Sequence, residues 1–108
     1  MTDSPNLQSL FDTAQRVQQE LSKIQSELAN KTVEGSSGGG LVLAVANGRQ
    51  QLVSLRIDPE VVDRNDVGML EDLVLAAVNQ AMAKAAELAQ QEMAKLTGQM
   101  GINLPGLL

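Results

Sequence analysis

Leu7, Leu10, Ala14, Val17, Leu21, Ile24 and Leu28 recur in alternating steps of three and four, with Gln, Ser, Arg, Lys and Glu between them. That is an unbroken a/d seam over three heptads. The spacing predicts a helix over residues 5–30, with Ser4 as N-cap, Pro5 at the first helical position and Asp12 early, where its charge is favoured. At 1.5 Å per residue this helix is ~39 Å long, more than a compact chain of 108 residues needs. The 3.5-residue period favours a helix–helix seam, whereas the C-terminal half reads equally well as an amphipathic helix lying on a sheet.

The period then changes. Thr32, Val33 and Glu34 suit a short strand, and Gly35 with Gly38, Gly39 and Gly40 suits a flexible turn. A phosphate-binding loop would need Lys-Ser or Lys-Thr and a helix start after its last glycine, but "GGG" runs straight into the strand-like "LVLAVA". In "LVLAVANGRQQLVSLRID", Asn47-Gly48 signals a type I′ hairpin turn, which needs positive φ at both central positions. Leu41, Leu43 and Val45 fall on one face, and on the return strand Val53, Leu55 and Ile57 alternate with Leu52, Ser54 and Arg56. The segment therefore reads as a hairpin with one apolar face. A strand over residues 32–36 adds a third member, and Pro59 ends the last strand.

From Val67 to about Thr97, Leu70, Leu73, Val74, Ala77, Val78, Ala81, Met82, Ala85, Leu88, Ala89, Met93 and Leu96 form a broad helical stripe. Asp66 suits the N-cap, Glu71 and Asp72 the first turns, Lys95 the last turn and Gly98 the stop. The methionines of the stripe read as core filler. "GQMGINLPGLL" has no periodicity and reads as a mobile or loosely docked tail. Residues 1–108 are thus expected to form one α+β domain: helix 5–30, a three-stranded antiparallel sheet over 32–58, helix 67–97 and flexible tail 98–108.

Composition sharpens this picture. Hydrophobic residues make up 44% of the chain, so folding is expected, yet Phe11 is the only aromatic residue. A monomer with so little ring area is thinly held together, which points to a dimer. Joining the sheets of two copies would also settle the fate of an exposed edge. Leu43, Val45, Val53, Leu55 and Ile57 are the candidate interface residues. With no cysteine and no histidine, disulfides, thiolate or imidazole catalysis and the usual zinc spacings are excluded. The acids are spread over helix faces and turns instead of converging, so an enzyme, a cofactor and a small-molecule substrate are not expected. The N-terminus shows no basic-then-apolar leader and no apolar run nears the ~20 residues of a membrane span, so a cytoplasmic protein is expected.

"GLVLAVANG" at 40–48, "IDPEVV" at 57–62, "MLEDLVLAAVNQA" at 69–81 and "MAKLTGQM" at 93–100, in this order and separation, resemble the YbaB/EbfC family of bacterial nucleoid-associated proteins. The resemblance covers most of the chain. It implies an α-β-β-β-α protomer, a homodimer with joined sheets and long helices projecting like tweezer arms. It also implies binding of double-stranded DNA without tight sequence preference, in the nucleoid, with a role in its organisation or in gene expression.

Duplex binding requires cations against phosphates. The candidates are Arg16, Lys23, Lys31, Arg49, Arg56 and Lys84, with Arg64 and Lys95 as further cations. Arg16 and Lys23 are seven apart and share a helical face. Glu20 and Glu27 stand at spacings that could pair with them, so the same pattern also describes an ordinary solvated face. The formal charge of −5 opposes approach to DNA except at a local positive patch. The alternative is a dimeric helical protein–protein interaction module that does not bind DNA, using the heptad seam and the alanine face of Ala77, Ala81 and Ala85.

Overall fold

The computed structural model describes residues 7–100, with helix α1 at Leu7–Asn30, strands β1 at Thr32–Ser37, β2 at Val42–Asn47 and β3 at Leu52–Ile57, and helix α2 at Val67–Met100. The expected Ser4–Pro5 helix start and the tail beyond residue 100 lie outside the described residues. The strands form one antiparallel sheet in the order β1-β2-β3. The α+β order expected from the sequence is therefore the observed one.

Several local expectations are corrected. The buried face of the hairpin is Val42, Ala44 and Ala46, all 0% exposed, while Leu41, Leu43 and Val45 are only half-buried. The register sets Val42 opposite Ile57 and Ala44 opposite Leu55, but Leu43 opposite Arg56 and Val45 opposite Ser54. Leu55 and Ile57 thus share a face with the small residues, and Leu43 and Val45 lie on the other. A bulge at Val45/Ala46 brings Leu52 opposite Ala46.

The turn also differs. Neither Asn47 nor Gly48 has positive φ; Gln50 does, at 62°. The loop is longer than a two-residue turn, because the Asn47 side chain organises it: Oδ1 accepts from the backbone N–H of Arg49 at 2.9 Å and of Gln51 at 3.1 Å. Gly48 is needed for proximity instead. A Cβ there would lie 2.6 Å from Leu28 Cδ2, and its N–H donates to the carbonyls of Leu28 and Lys31 at the end of α1.

Gly35 is a buried mid-strand residue and not part of the turn, which Gly38, Gly39 and Gly40 form with φ of 62°, 71° and 96°. It lets α2 cross β1 closely: a Cβ at Gly35 would meet Ala77 O at 2.2 Å and Ala81 N at 2.4 Å.

Asp66 caps α2 as expected, accepting from Met69 N at 3.2 Å. The helix does not stop at Gly98 but runs through it to Met100. An exposed glycine costs a helix only ~1 kcal/mol, and α1 supplies Leu96 with a packing partner that holds this end. α2 lies across β1 and β2, where Ala77, Ala81 and Ala85 meet Val42, Ala44 and Ala46 at 0% exposure. Small residues on both sides permit this close layer. Met82 packs against it, but Met93 remains 38% exposed. A second cluster joins Ile24 and Leu28 of α1 to Leu96, flanked by Leu21, Leu88 and Ala89. The rest of α1 projects: the radius of gyration is 20.6 Å, against about 13 Å for a compact chain of this length.

The two sheet edges are unequal. Gln80 Oε1 accepts from Ser36 N at 2.7 Å and Lys84 Nζ donates to Glu34 O at 2.9 Å, so α2 side chains occupy the outer edge of β1. Among the described residues the edge of β3 has no such cover, and Leu52, Val53 and Leu55 are 43%, 56% and 41% exposed.

Candidate nucleic-acid interface

The cations fall into groups according to the element that carries them. Arg16 and Lys23 are both exposed on α1, two turns apart; Lys23 lines the mouth of the α1–α2 cleft together with the half-buried Glu20 and Glu27, and Arg16 lies beyond it towards the projecting end. The helical pairs that the spacing allows are not formed. Among the described residues the ion pairs converge on one carboxylate, Glu92.

Glu92 sits on α2 with its side chain 7% exposed, and its Oε1 accepts from Lys31 Nζ at 2.7 Å and from Lys95 Nζ at 3.4 Å. The Lys31 hydrogen bond holds the Glu92 carboxyl below the usual glutamate range against the opposing effect of desolvation, and Lys31 is raised in return by the same bond. The pair ties the end of α1 to α2. Glu20 and Glu27 line the same cleft, of about 210 Å³, with the exposed Lys23 beside them. No spacing signal could have found the Lys31–Glu92 contact, because its partners are 61 residues apart. Lys95, expected to complement the end of α2, acts here by bridging to Glu92.

The bonds from Gly48 N to Leu28 O and Lys31 O bring the hairpin turn against the end of α1, which places Arg49 at the corner that carries Lys31. Arg16, Lys23, Lys31 and Arg49 therefore belong to one arm and its base. Lys84 stands apart, hydrogen-bonded to the β1 edge. Arg56 is exposed on β3, opposite Leu43 on the face away from α2. Arg64 lies in the loop before α2. The alanines expected to receive a partner helix are buried against the chain's own sheet.

Among the described residues no group of three or more acids could hold a metal ion, and no helix is long and apolar enough to cross a membrane.

Residues 3–100 match the YbaB/EbfC DNA-binding family. The chain belongs to this family. It is 60% identical over 102 residues to the nucleoid-associated protein TTE0040 of Caldanaerobacter subterraneus subsp. tengcongensis, a match that covers 94% of this chain and 90% of that one. A nucleoid-associated protein of Pelotomaculum thermopropionicum is 48% identical, with 94% and 95% covered. The crystal structure of an uncharacterized Helicobacter pylori protein, HP0035, has the same fold, with a TM-score of 0.63 over 93% of this chain and 98% of that one at 23% identity.

Proposed function

We propose that the protein binds double-stranded DNA as a homodimer with little sequence preference and takes part in organising the nucleoid. The observation that carries this reading within the family is that Arg16 and Lys23, exposed on the arm helix, form no ion pair with the glutamates of the same helix, although Lys23 shares the cleft with Glu20 and Glu27. Lysine and arginine contacts to phosphate position a protein on a duplex without reading sequence. Arg49 adds a cation at the arm's base, where Lys31 is engaged by Glu92, while Lys84 and Arg56 would serve other faces.

Dimerisation through β3 is supported by the inequality of the edges. The β1 edge is occupied by Gln80 and Lys84, whereas β3 offers an open edge beside exposed Leu52, Val53 and Leu55. Val62, Val67, Met69 and Leu75 are exposed as well, and a second copy would draw on such surface for the core area the protomer lacks. Of the candidate interface residues, Val53 and Leu55 are best placed to be covered; Leu43 and Val45 belong to the opposite face.

The test is fluorescence anisotropy of a random-sequence duplex at two salt concentrations. Binding that weakens steeply with salt supports the reading. No binding at low salt refutes it and leaves the arms to a protein partner.

A further inference from the structure

The projecting end of α1 carries apolar surface that neither the fold nor DNA binding uses. Leu7, Leu10 and Phe11 are 69%, 53% and 65% exposed, and Ala14 is exposed too. Yet Leu7, Leu10 and Ala14 continue the seam that α2 closes at Leu21, Ile24 and Leu28. A contiguous patch of large apolar side chains on a soluble protein marks an interaction site.

We propose that this seam pairs with the same seam of a second copy, α1 against α1 in antiparallel orientation, linking molecules through their arm tips. Charge permits a like partner here. Residues 7–19 hold only Asp12 and Arg16, a neutral stretch on a chain of formal charge −5. Register favours it too. Centred on Asp12, the antiparallel alignment sets Leu7 against the second copy's Val17 and Leu10 against its Ala14, each twice by symmetry. Every layer then joins an a position to a d position and a larger residue to a smaller one. The flanking positions Phe11, Thr13 and Gln18 are uncharged, so no repulsion opposes the pairing, and Phe11 widens the apolar strip.

So short an overlap buries less surface than a lasting complex needs. Tip pairing is therefore weak in dilute solution and promoted where many copies crowd on one duplex. Its consequence, two duplexes held together by paired arms, rests on the DNA-binding reading; the pairing itself does not.

Sedimentation velocity over a wide concentration range separates the two. The wild type should grow with concentration beyond the sheet-joined dimer, and Leu10→Glu with Phe11→Glu should stop at that dimer, weakening further association at least tenfold. Leu55→Asp, which opens the sheet contact, should still form a tip-paired dimer, and the combination of all three changes should be monomeric. These side chains are exposed, so helicity by circular dichroism should be unchanged. A wild type that never exceeds a dimer overturns the pairing, as does an unchanged mass distribution in the tip variant. In a bead assay the wild type should retain a second, free duplex on a tethered one, and the tip variant should bind the tethered duplex normally without retaining the second. If no form binds DNA, the functional reading fails while the sedimentation result still decides the pairing.

Discussion

Gly35→Ala tests the close layer on which the arms depend. The added Cβ would stand 2.2 Å from Ala77 O and 2.4 Å from Ala81 N, where ordinary contact begins at 3.4 Å. Both obstacles are backbone atoms of a helix and cannot turn aside, so α2 must lift by about 1 Å from β1. A gap of that size forfeits a quarter to a half of each dispersion contact it opens, and the layer it opens holds Val42, Ala44, Ala46, Ala77, Ala81 and Ala85, all at 0% exposure. Overpacking of a core costs about 1–3 kcal/mol, and a backbone clash belongs at the upper end. The ~0.4–1 kcal/mol that Gly→Ala normally recovers from the unfolded chain does not offset it. The expected loss of about 2–3 kcal/mol corresponds to a fall in Tm of roughly 8–20 °C for a domain of this size. Gly98→Ala is the matched control: its Cβ meets nothing within 4 Å inside α2, so it should stabilise by about 0.5–1 kcal/mol. Thermal and urea unfolding followed by circular dichroism measure both. A Gly35→Ala protein that melts within about 2 °C of wild type would refute the crossing of α2 over β1.

Arg16→Glu with Lys23→Glu should leave Tm and oligomeric state unchanged, since both side chains are exposed, while flattening the salt dependence of DNA affinity. Two phosphate-binding cations removed from each protomer would reduce the slope for a dimer by roughly 3–4; an unchanged slope moves the interface towards Arg49 or Arg56. Leu55→Asp should release folded protomers, because Leu55 is 41% exposed and outside the α2 layer; light scattering after size exclusion reads the mass, and an unchanged dimer places the interface elsewhere. The Lys31–Glu92 tie has a defined pH range. Glu92 is depressed, so its contribution is full above the ordinary value of 4.5 and is lost as pH falls through the lower folded value. Lys31 is raised, so its contribution holds below 10.5 and is lost as pH rises through the higher folded value. The Tm difference between wild type and Glu92→Gln should therefore be flat between these limits; a difference that vanishes already above pH 4.5 would exclude the tie.

The order of elements was legible because each announces itself over a short range: heptads for α1, alternation for β2 and β3, and a long stripe with an aspartate cap for α2. The choice of face was not. Both faces of β2 are apolar, so alternation grouped Leu41, Leu43 and Val45 on one face without showing which face is buried. Closeness of approach decided the matter instead, since only Ala44 and Ala46 let the alanines of α2 descend onto the sheet. Gly35 did carry a signal, being an isolated glycine in a strand pattern, which often marks a close backbone approach. Asn47-Gly48 marked the turn correctly but for a different reason, because Leu28 presses on Gly48 from another element. Of the candidate cations, the helical spacing of Arg16 and Lys23 was readable, whereas the capture of Lys31 by Glu92 and of Lys84 by the β1 edge depends on long-range packing.

The acidity of the chain takes on a different meaning once its charges are placed. Asp58, Glu60, Asp63, Asp66, Glu71 and Asp72 stand against Arg64 alone in residues 58–72, a formal −5 that equals the whole net charge. The remainder of the chain is neutral. Three of these acids have local work: Asp58 accepts from Glu60 N, Asp63 from Asn65 N and Asp66 from Met69 N, the last at the start of α2. The arm is at the other end of the same helix. Lys31 meets Glu92, and Leu28 and Ile24 meet Leu96, so α1 runs back antiparallel to α2 and projects away from the acidic loop. Val67 and Glu92 are ~38 Å apart along α2, about four to five Debye lengths at physiological salt. Within a protomer, then, the negative charge that as a total opposes DNA binding is gathered at the far end of α2 and screened from Arg16 and Lys23, and the potential a phosphate meets at the arm is set by the arm's own residues.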